Sequence, residues 1–380
     1  MAESSRTIPI EPATPVPTLS FGVVGIGRMG QRHALNLLRL IPNAKLVCAC
    51  SPAKADLEWA EKELVPYGVQ VYAAFEDMIQ HPGLQAVIVS SLTTLHYYHT
   101  VESLKRGVHV LCEKPVCETE DELKQLIELT EANPEIRLMV GFTRRFDASY
   151  AAALDQVRSG AIGRPVTLRF QSCEKYDDSP FIHSYLSRCG GIFLDSVVHD
   201  IDLSLMYLGD LALPSRCIAF GSASLHRHLR SPSDHASHRG DADNAVGMVQ
   251  FHSGAIAWYY NSRTAAAGYD NASEIFGERG KLSVNLVARR DRLEIADGKG
   301  LSCQSVESWY ERYREAFVVE TRHFVEAVLQ GREVAVPIRS VLTGLRIALA
   351  LQESLGRGGA VVRFDERGER IVDEESAAKL

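Results

Sequence analysis

The sequence predicts a two-domain α/β protein, in which a doubly wound parallel sheet precedes an α+β domain with a large open, mostly antiparallel sheet. Three observations support this prediction. A glycine-rich turn joins a strand to a helix near residue 25, strand and helix patterns alternate as far as residue 141, and later strand patterns have one predicted helix between them. At 380 residues, the chain is long enough for two hydrophobic cores.

The glycine-rich turn follows an apolar strand pattern over residues 21–24, with Gly25, Gly27 and Gly30 at G-x-G-x-x-G spacing. The first glycine permits a tight turn, the second lets the backbone approach a pyrophosphate, and the third lets the helix pack closely on the strand. The following helix directs its amide end at the phosphates. We therefore predict a dinucleotide site; the alternative is a turn that only joins a strand to a helix.

The alternation of strands and helices continues through the first domain. Strand patterns lie at 45–50, 70–72, 85–90, 108–112 and 136–140, and helical patterns lie at 56–64, 75–80, 95–106 and 119–131. Apolar strands separated by helices predict a parallel sheet covered on both faces, as in a Rossmann domain. Ligands of such a sheet bind at the carboxyl ends of its strands.

The second domain has a different pattern. Its predicted strands lie at 165–172, 215–224, 245–251, 255–261 and 272–276, with a helix starting near Leu194 and a hairpin turn at 252–254. Amphipathic helices at 310–330 and 341–355 are expected to cover or bridge the domains. We divide the chain into a disordered, proline-containing leader (1–19), a dinucleotide-binding domain (20–141), a substrate-binding and oligomerisation domain (142–362) and a charged tail (363–380).

Composition limits the class of protein. Apolar residues make up 46% and charged residues 23%, and no apolar run has the length of a membrane span, so we expect no membrane partner. The net charge of −7 argues against nucleic acid. Eight cysteines without disulfide or zinc-ribbon spacing indicate buried thiols in a reducing compartment, such as the cytoplasm. The terminal Ala378-Lys379-Leu380 is one residue from a Ser-Lys-Leu signal, so peroxisomal import stays open.

The residue that ends the second strand selects the cofactor, because a carboxylate there binds the ribose hydroxyls of NAD and repels a 2′-phosphate. That position holds Ser51, and Lys54 follows closely. A hydroxyl with a nearby cation favours NADP through charge-assisted hydrogen bonds. NAD stays open, because serine does not exclude it and Lys54 is equally consistent with a solvated helix start.

A second group of residues carries the chemistry. Asp195 and His199 are four residues apart in a predicted helix and therefore share one face. Histidine can take a hydroxyl proton near neutral pH, and a carboxylate one turn away can orient it or hold a substrate. Such pairs are also common on surfaces. Lys114 strengthens the functional interpretation, because it follows a strand of the first domain and so lies at the cofactor edge of the sheet.

These features resemble the glucose-fructose oxidoreductase and inositol 2-dehydrogenase family (Gfo/Idh/MocA) over roughly residues 20–360. Glu113-Lys114-Pro115 matches the E-K-P motif of the family, and Asp195 with His199 matches its D-x-x-x-H motif. The stretches 139–147 and 268–277 resemble the inositol dehydrogenase branch in particular. The alternative for the first stretch is that Arg144 and Arg145 are a solvated pair of arginines. The alternative for the second is a loop that leads into a strand.

The resemblance implies hydride transfer between a nicotinamide and a CH–OH or ketone carbon of a cyclitol, sugar or related polyol. In that mechanism His199 is the general base, Asp195 anchors a neighbouring hydroxyl, and Lys114 bridges the cofactor ribose and the substrate hydroxyl. Further substrate contacts are expected from residues that are equally open to a packing role: Arg145, Asp147, Tyr176, Asp202 and Tyr269. The expected cofactor contacts are Gly25, Ile26, Gly27, Arg28, Met29, Gly30, Ser51, Lys54, Ser91, Leu92, His96, Glu113 and Lys114.

Two stretches depart from the family pattern. The family usually carries T-P-N-x-x-H, whereas residues 91–96 read Ser-Leu-Thr-Thr-Leu-His and keep only the histidine. Residues 225–239 are rich in histidine and arginine; their irregular spacing favours an exposed basic loop over a metal site, and a cap contacting an acidic substrate is a further alternative.

Two other functions stay open within the resemblance: a catalytically silent, nucleotide-sensing regulator and an NAD-dependent glycosidase. The complete Lys/Asp/His set argues against the regulator. We also expect a homodimer or homotetramer, because an open antiparallel sheet must cover its outer face.

Overall fold

The computed structural model of the protein describes residues 17–230 and 240–371. Most of the expected leader, the stretch 231–239 of the histidine-rich loop and the C-terminal Ala378-Lys379-Leu380 lie outside the described residues.

The first sheet has six parallel strands in the order β3-β2-β1-β4-β5-β6. Its strands are β1 (Leu19–Val24), β2 (Ala44–Cys50), β3 (Gln70–Tyr72), β4 (Ala86–Val89), β5 (His109–Glu113) and β6 (Leu138–Gly141). The order of strands reverses between β1 and β4, and in such sheets a ligand binds in the crevice outside the carboxyl ends at this point. The predicted doubly wound sheet is confirmed.

Helices connect these strands: α1 (Arg28–Arg39), α2 (Lys54–Glu63), α3 (Phe75–Met78), α4 (Thr93–Lys105) and α5 (Glu120–Glu131). The four residues of β4 are apolar and fully buried, as expected for a strand covered on both faces. At the start of α5, Thr119 and Glu122 form a capping box, which fixes where the helix begins.

The second sheet has eight strands in the order β12-β11-β7-β10-β9-β8-β15-β16. They are β7 (Pro165–Lys175), β8 (Pro214–Ser222), β9 (Asn244–Phe251), β10 (Ile256–Ala265), β11 (Asp270–Gly277), β12 (Lys281–Val284), β15 (Val362–Phe364) and β16 (Arg370–Ile371). The central pair β7 and β10 is parallel and the other pairs are antiparallel, so the sheet is mostly antiparallel as predicted. Residues 363–371, which we assigned to the charged tail, instead lengthen this sheet.

The helices of the second domain are α6 (Ala148–Arg158), α7 (Pro180–Leu186), α8 (Val198–Leu208), α9 (Trp309–Leu329) and α10 (Leu342–Gly356). A π-helical turn (Phe193–Val197) leads into α8, and a short ribbon is formed by β13 (Ile295–Asp297) and β14 (Gly300–Ser302). Short 3₁₀ turns lie at Val65–Tyr67, Thr143–Phe146, Gly209–Leu211, Arg227–Arg230 and Ile338–Val341. The sequence analysis missed α6 and α7. Each begins at a side-chain cap, at Asp147 and Ser179 respectively.

The last helices return to the first domain. Phe324 of α9 packs edge-on against Phe21 of β1, with 6.1 Å between the ring centroids. Arg346 of α10 forms an ion pair with Glu120 at the start of α5, at 2.6 Å. The buried apolar side chains of both sheets therefore form one continuous core.

The two faces of the second sheet differ. In β9 the residues 245, 247, 249 and 251 are buried under the helices, whereas Val246 and Met248 are 43% and 45% exposed on the opposite face. Phe220 of β8 is also exposed. The outer face therefore carries apolar side chains with no cover within the described chain. Among the described helices, none has both the length and the apolar character that crossing a membrane requires.

Candidate active site

The glycine-rich turn lies where the ends of β1 and β4 meet. Gly25 has a φ of +82°, and a Cβ atom there would lie 2.5 Å from Cα of Ser91. A Cβ atom on Gly30 would lie 1.8 Å from the carbonyl oxygen of Gly25. At Gly27, by contrast, the nearest atom would be 4.0 Å away. Gly25 and Gly30 thus close the turn, while Gly27 faces open space beside the N-terminus of α1, which no side chain caps.

A carboxylate lies beside this turn. The Ser51 hydroxyl donates to Oδ2 of Asp56 over 2.7 Å, and the same oxygen is the atom 4.0 Å from the Cβ position of Gly27. The Lys54 side chain is 90% exposed, and its Nζ lies 3.5 Å from Glu58. Negative charge, rather than the cation expected from the sequence, therefore lies between Ser51 and the turn.

Lys114 joins the two domains at the same edge of the first sheet. It follows β5, and its peptide bond to Pro115 is cis. Its Nζ donates to the main-chain carbonyl of Asp195 over 2.6 Å and lies 3.4 Å from Oδ1 of the same residue. This contact holds Asp195 near the carboxyl ends of the parallel strands.

Asp195 has three further partners among the described residues, of which the Ser196 hydroxyl donates to Oδ2 over 3.4 Å. The Tyr185 hydroxyl donates to Oδ1 over 2.5 Å, and Nη2 of Arg263 lies 3.4 Å from Oδ2. Burial alone raises the pKa of Asp195, but the positive charges of Lys114 and Arg263 and the Tyr185 hydrogen bond outweigh burial and lower it. Asp195 is therefore an anion at neutral pH.

His199 follows Asp195 in the first turn of α8. Its ring packs edge-on against Phe142, with 5.9 Å between centroids, and its Nδ1 is buried without a hydrogen-bond partner among the described residues. Burial lowers the pKa of His199 well below its ordinary value, and the charges of Arg144 and Lys114 lower it further. The imidazole is therefore neutral at physiological pH, the form that accepts a proton.

The geometry of the Asp195–His199 pair differs from the one expected. Asp195 lies in the π-helical turn rather than in a regular α-helix, so the four-residue spacing spans a wider turn. Single π turns inside helices occur frequently at functional sites. A cation, an anion and a neutral imidazole thus meet at the carboxyl edge of the first sheet, a set that can move a proton to or from a hydroxyl group and stabilise charge on its oxygen.

Family models account for most of the chain. Residues 19–142 match an oxidoreductase family with an NAD-binding Rossmann fold, and residues 150–283 match the GFO/IDH/MocA C-terminal domain. The chain belongs to the Gfo/Idh/MocA family. The resemblance inferred from the E-K-P and D-x-x-x-H motifs is confirmed.

Relatives in this family match nearly end to end. The scyllo-inositol 2-dehydrogenase (NAD(+)) of Bacillus subtilis is 30% identical over 345 residues, which cover 90% of this chain and 95% of the relative. The myo-inositol 2-dehydrogenase of Thermotoga maritima is 32% identical over 339 residues, which cover 89% and 96%. The crystal structure of scyllo-inositol dehydrogenase from Lactobacillus casei with bound NAD(H) and scyllo-inositol has a TM-score of 0.83 at 28% identity, covering 91% of this chain and 99% of that one.

Several expected substrate contacts have partners inside the protein. Arg145 forms two hydrogen bonds to Asp202, at 2.5 and 2.7 Å. Asp147 caps α6 and accepts hydrogen bonds from Arg312. Tyr269 is buried, and its hydroxyl accepts from Arg144 over 3.1 Å. These contacts give Arg145, Asp147, Asp202 and Tyr269 partners within the protein. Their contact with a substrate stays a prediction.

Tyr176 lies nearer the surface, and its hydroxyl forms a hydrogen bond with Asp178. It is 36% exposed, and its ring lies 5.1 Å from that of His226. Its contact with a substrate stays a prediction.

Some expected cofactor contacts also serve the protein itself. The ring nitrogens of His96 lie 2.8 and 3.1 Å from the carbonyl oxygens of Pro115 and Ser91, so His96 connects the loops that follow β4 and β5. The Glu113 carboxylate lies 2.8 Å from Nε2 of His33. Ile26 is fully buried in the core and Met29 packs against it, whereas Leu92 is 57% exposed at the end of β4.

Arg28 links the glycine-rich turn to the second domain. Its guanidinium lies 5.6 and 5.7 Å from the ring centroids of Phe181 and Tyr185 in α7, and 5.4 Å from that of Trp309. Helix α7 therefore lies close to both the glycine-rich turn and Asp195.

Sequence reasoning missed four residues of the site. Tyr185 and Arg263 fix Asp195, Asp56 lies beside the glycine-rich turn, and Glu174 at the end of β7 lies near Asp195. Burial and the charge of Asp195 raise the pKa of Glu174. No local motif marks these residues; only the position of Asp56, shortly after the second strand, was a usable signal.

Proposed function

We propose that this Gfo/Idh/MocA enzyme is an NAD-dependent inositol dehydrogenase, which oxidises a ring CH–OH group of an inositol to a ketone and catalyses the reverse reduction. The observation that carries the proposal is the Lys114–Asp195–His199 cluster at the carboxyl edge of the NAD-binding sheet. Relatives that match over most of their length are named inositol dehydrogenases, and one was solved with NAD(H) and scyllo-inositol.

The chain offers a fitting place for the cofactor. Gly27, with open space beside it, and the uncapped N-terminus of α1 would hold the pyrophosphate. When bound, the nicotinamide supplies the acceptor or donor of a hydride.

Each residue of the cluster has one task in this proposal. His199 takes the proton of the substrate hydroxyl during oxidation and returns it during reduction. Lys114 places positive charge beside the oxygen that becomes negative. Asp195, fixed by Lys114, Tyr185 and Arg263, accepts a hydrogen bond from a neighbouring hydroxyl.

The reaction is tested by nicotinamide absorbance with NAD, NADP and a panel of inositols, pyranoses and acyclic polyols. We expect turnover with at least one inositol. The kcat/KM for that inositol should exceed the kcat/KM for every pyranose and acyclic polyol in the panel. Release of an aglycone from a glycoside without net change in NAD would support the glycosidase instead. Cofactor binding with no turnover of any polyol or ketone would support the regulator.

We further propose that NAD is preferred over NADP. The sequence argument for NADP rested on Ser51 and Lys54, but the Ser51 hydroxyl is bonded to the Asp56 carboxylate and Lys54 extends into solvent. A carboxylate near the glycine-rich turn accepts hydrogen bonds from ribose hydroxyls and repels a 2′-phosphate. Asp56 thus supplies, five residues later, the charge that position 51 lacks.

The Asp56→Asn variant is expected to shift the ratio of kcat/KM for NAD over that for NADP by about 10- to 100-fold towards NADP, because one charge repulsion across a few ångströms is removed. Steady-state kinetics with both cofactors measures this ratio. Lys54→Ala is the matched control and should change the ratio by less than about twofold. A large loss of NADP activity in Lys54→Ala, with no effect of Asp56→Asn, would restore the NADP assignment.

The depressed pKa of His199 predicts the pH dependence of oxidation. The base is active when neutral, so activity is lost only as pH falls through the pKa of His199 in the folded protein, which lies below the ordinary 6.5. We expect log(kcat/KM) for inositol oxidation to stay level on the acid side down to a pH below 6.5. An acid limb centred above 6.5 would contradict the assignment of His199 as the base.

We propose that the outer face of the second sheet forms a homodimer or homotetramer contact. Phe220, Val246 and Met248 would be covered there. Light scattering is expected to give the mass of a dimer or tetramer of the 41.9 kDa chain. The Met248→Glu variant should have the mass of the monomer. Leu301→Glu, at an exposed residue of the β13–β14 ribbon, is the control. A monomeric wild-type protein would refute this contact.

A further inference from the structure

We propose that His183, His226 and His228 form a binding site for one zinc ion beside the active site. One ring nitrogen from each residue lies within 4.8 Å of those of the other two. The residues come from two segments, α7 and the short 3₁₀ turn near Arg227–Arg230, which are far apart in sequence. None of them takes part in the proposed dehydrogenase reaction, so the site is an addition to that function.

The three imidazoles lie close enough together to bind one zinc ion after small side-chain movements. The ring centroids are 4.7 Å apart for His183 and His228, and 5.7 Å apart for the two pairs that include His226. Tetrahedral zinc with Zn–N bonds of about 2.0–2.1 Å places ligand nitrogens about 3.3 Å apart. The nitrogens would therefore approach by at most about 1.5 Å, a movement that side-chain rotation can supply.

His226 supplies an independent sign of a missing partner. Its side chain is 2% exposed, and its Nδ1 is buried without a hydrogen-bond partner among the described residues. A buried polar atom without a partner costs free energy, so it is expected to meet a ligand. The backbone around it is fixed, because Asp243 accepts hydrogen bonds from the main-chain N–H groups of residues 224, 225 and 226.

A carboxylate supports the second ligand. Asp178 Oδ1 lies 2.8 Å from Nε2 of His183, the arrangement in which a carboxylate orients a metal-bound histidine through its other ring nitrogen. Imidazole ligands favour zinc over calcium or magnesium, which prefer oxygen. Three histidines leave the fourth zinc position to water.

The site would fix α7 relative to the active site. Helix α7 carries Tyr185, whose hydroxyl donates to Asp195, and its aromatic rings lie beside Arg28 of the glycine-rich turn. A metal that joins His183 to the segment 226–228 holds α7 from its other side. Zinc is therefore assigned a role in positioning Tyr185, and no role in hydride or proton transfer.

The test uses the full-length protein, freed of metal with a chelator and titrated with Zn²⁺ against a chromophoric competitor. We expect one saturable site per chain, and an affinity at least about 100-fold weaker in His183→Gln, His226→Gln and His228→Gln. His228 is exposed, so its variant keeps the fold and remains informative if His226→Gln does not. His252→Gln and the double variant His235→Gln/His238→Gln are controls that should bind zinc as the wild type does.

Two further measurements distinguish a specific zinc site from adventitious zinc binding. Co²⁺ in place of Zn²⁺ should give the visible absorption of a four-coordinate site, absent in His228→Gln. Zinc should also slow amide hydrogen exchange in residues 181–186 of the wild type and of the control variants, but not in His228→Gln. Any one of three results would overturn the proposal. They are the absence of saturable zinc binding, an unchanged zinc affinity in the three single variants, and a loss of zinc binding in the His235→Gln/His238→Gln variant. None of these readouts depends on inositol turnover.

Discussion

Replacing His199 with glutamine is expected to lower kcat for inositol oxidation by about 10²–10⁴-fold, the contribution typical of a positioned general base. Glutamine keeps a polar side chain of similar length but cannot accept the hydroxyl proton. Steady-state kinetics gives kcat, and titration of NAD by protein fluorescence should show cofactor affinity within about twofold of the wild type, because His199 is not a residue of the glycine-rich turn.

The control for this variant is His252→Gln, an exposed histidine whose Nε2 bonds to the carbonyl oxygen of Asp365. It should retain wild-type kinetics. If His199→Gln kept more than about a tenth of the wild-type kcat, proton transfer would have to be assigned to another group, and Glu174, with its raised pKa near Asp195, would be the next candidate.

Replacing Arg144 with alanine is expected to lower the free energy of unfolding by about 3–5 kcal/mol, because it leaves the buried carboxylate of Asp200 with the Ser172 hydroxyl but without a cation. The Arg144 guanidinium is 5% exposed and donates to Asp200 over 2.5 Å, to Ser172 over 3.0 Å and to Tyr269 over 3.1 Å. Urea denaturation followed by circular dichroism measures the difference.

The matched control is Arg164→Ala. Arg164 pairs with Glu278 at 3.2 Å, but both side chains are about half exposed, so the loss should be below about 1 kcal/mol. The Arg144→Met/Asp200→Leu double variant should lose less than the sum of the two single variants, because no unpaired charge remains. Equal losses in Arg144→Ala and Arg164→Ala would contradict the buried network.

Local patterns were sufficient to predict the fold of the first domain. The glycine spacing, the apolar β4 and the alternation of elements depend on residues close in sequence, so the parallel sheet could be predicted. Lys114, Asp195 and His199 could be singled out because each belongs to a short motif whose chemistry needs those residue types, and their catalytic roles stay a prediction. The contact between Lys114 and Asp195 joins two domains and was not predicted from the sequence.

Pairings between distant residues could not be predicted in this way. Arg145 and Asp147 follow directly after the first domain and have the polarity of substrate ligands, but their partners are Asp202 and Arg312. Asp56 was missed because the cofactor rule considers the residue that ends the strand, and here the carboxylate reaches the same space from the next helix. His183 lies in α7, whereas His226 and His228 follow β8. Their distance along the sequence likewise gives no indication that they lie close together.

The packing of α9 on β1 has a consequence for synthesis at the ribosome. Phe21 lies in β1, whereas Phe324, which covers it, lies in α9 and is made much later. Domains generally fold from the N-terminus as they emerge. Here the NAD-binding half emerges first but lacks part of its apolar cover until α9 has left the exit tunnel. Until α9 is made, Phe21 therefore lacks the aromatic ring that covers it in the folded protein.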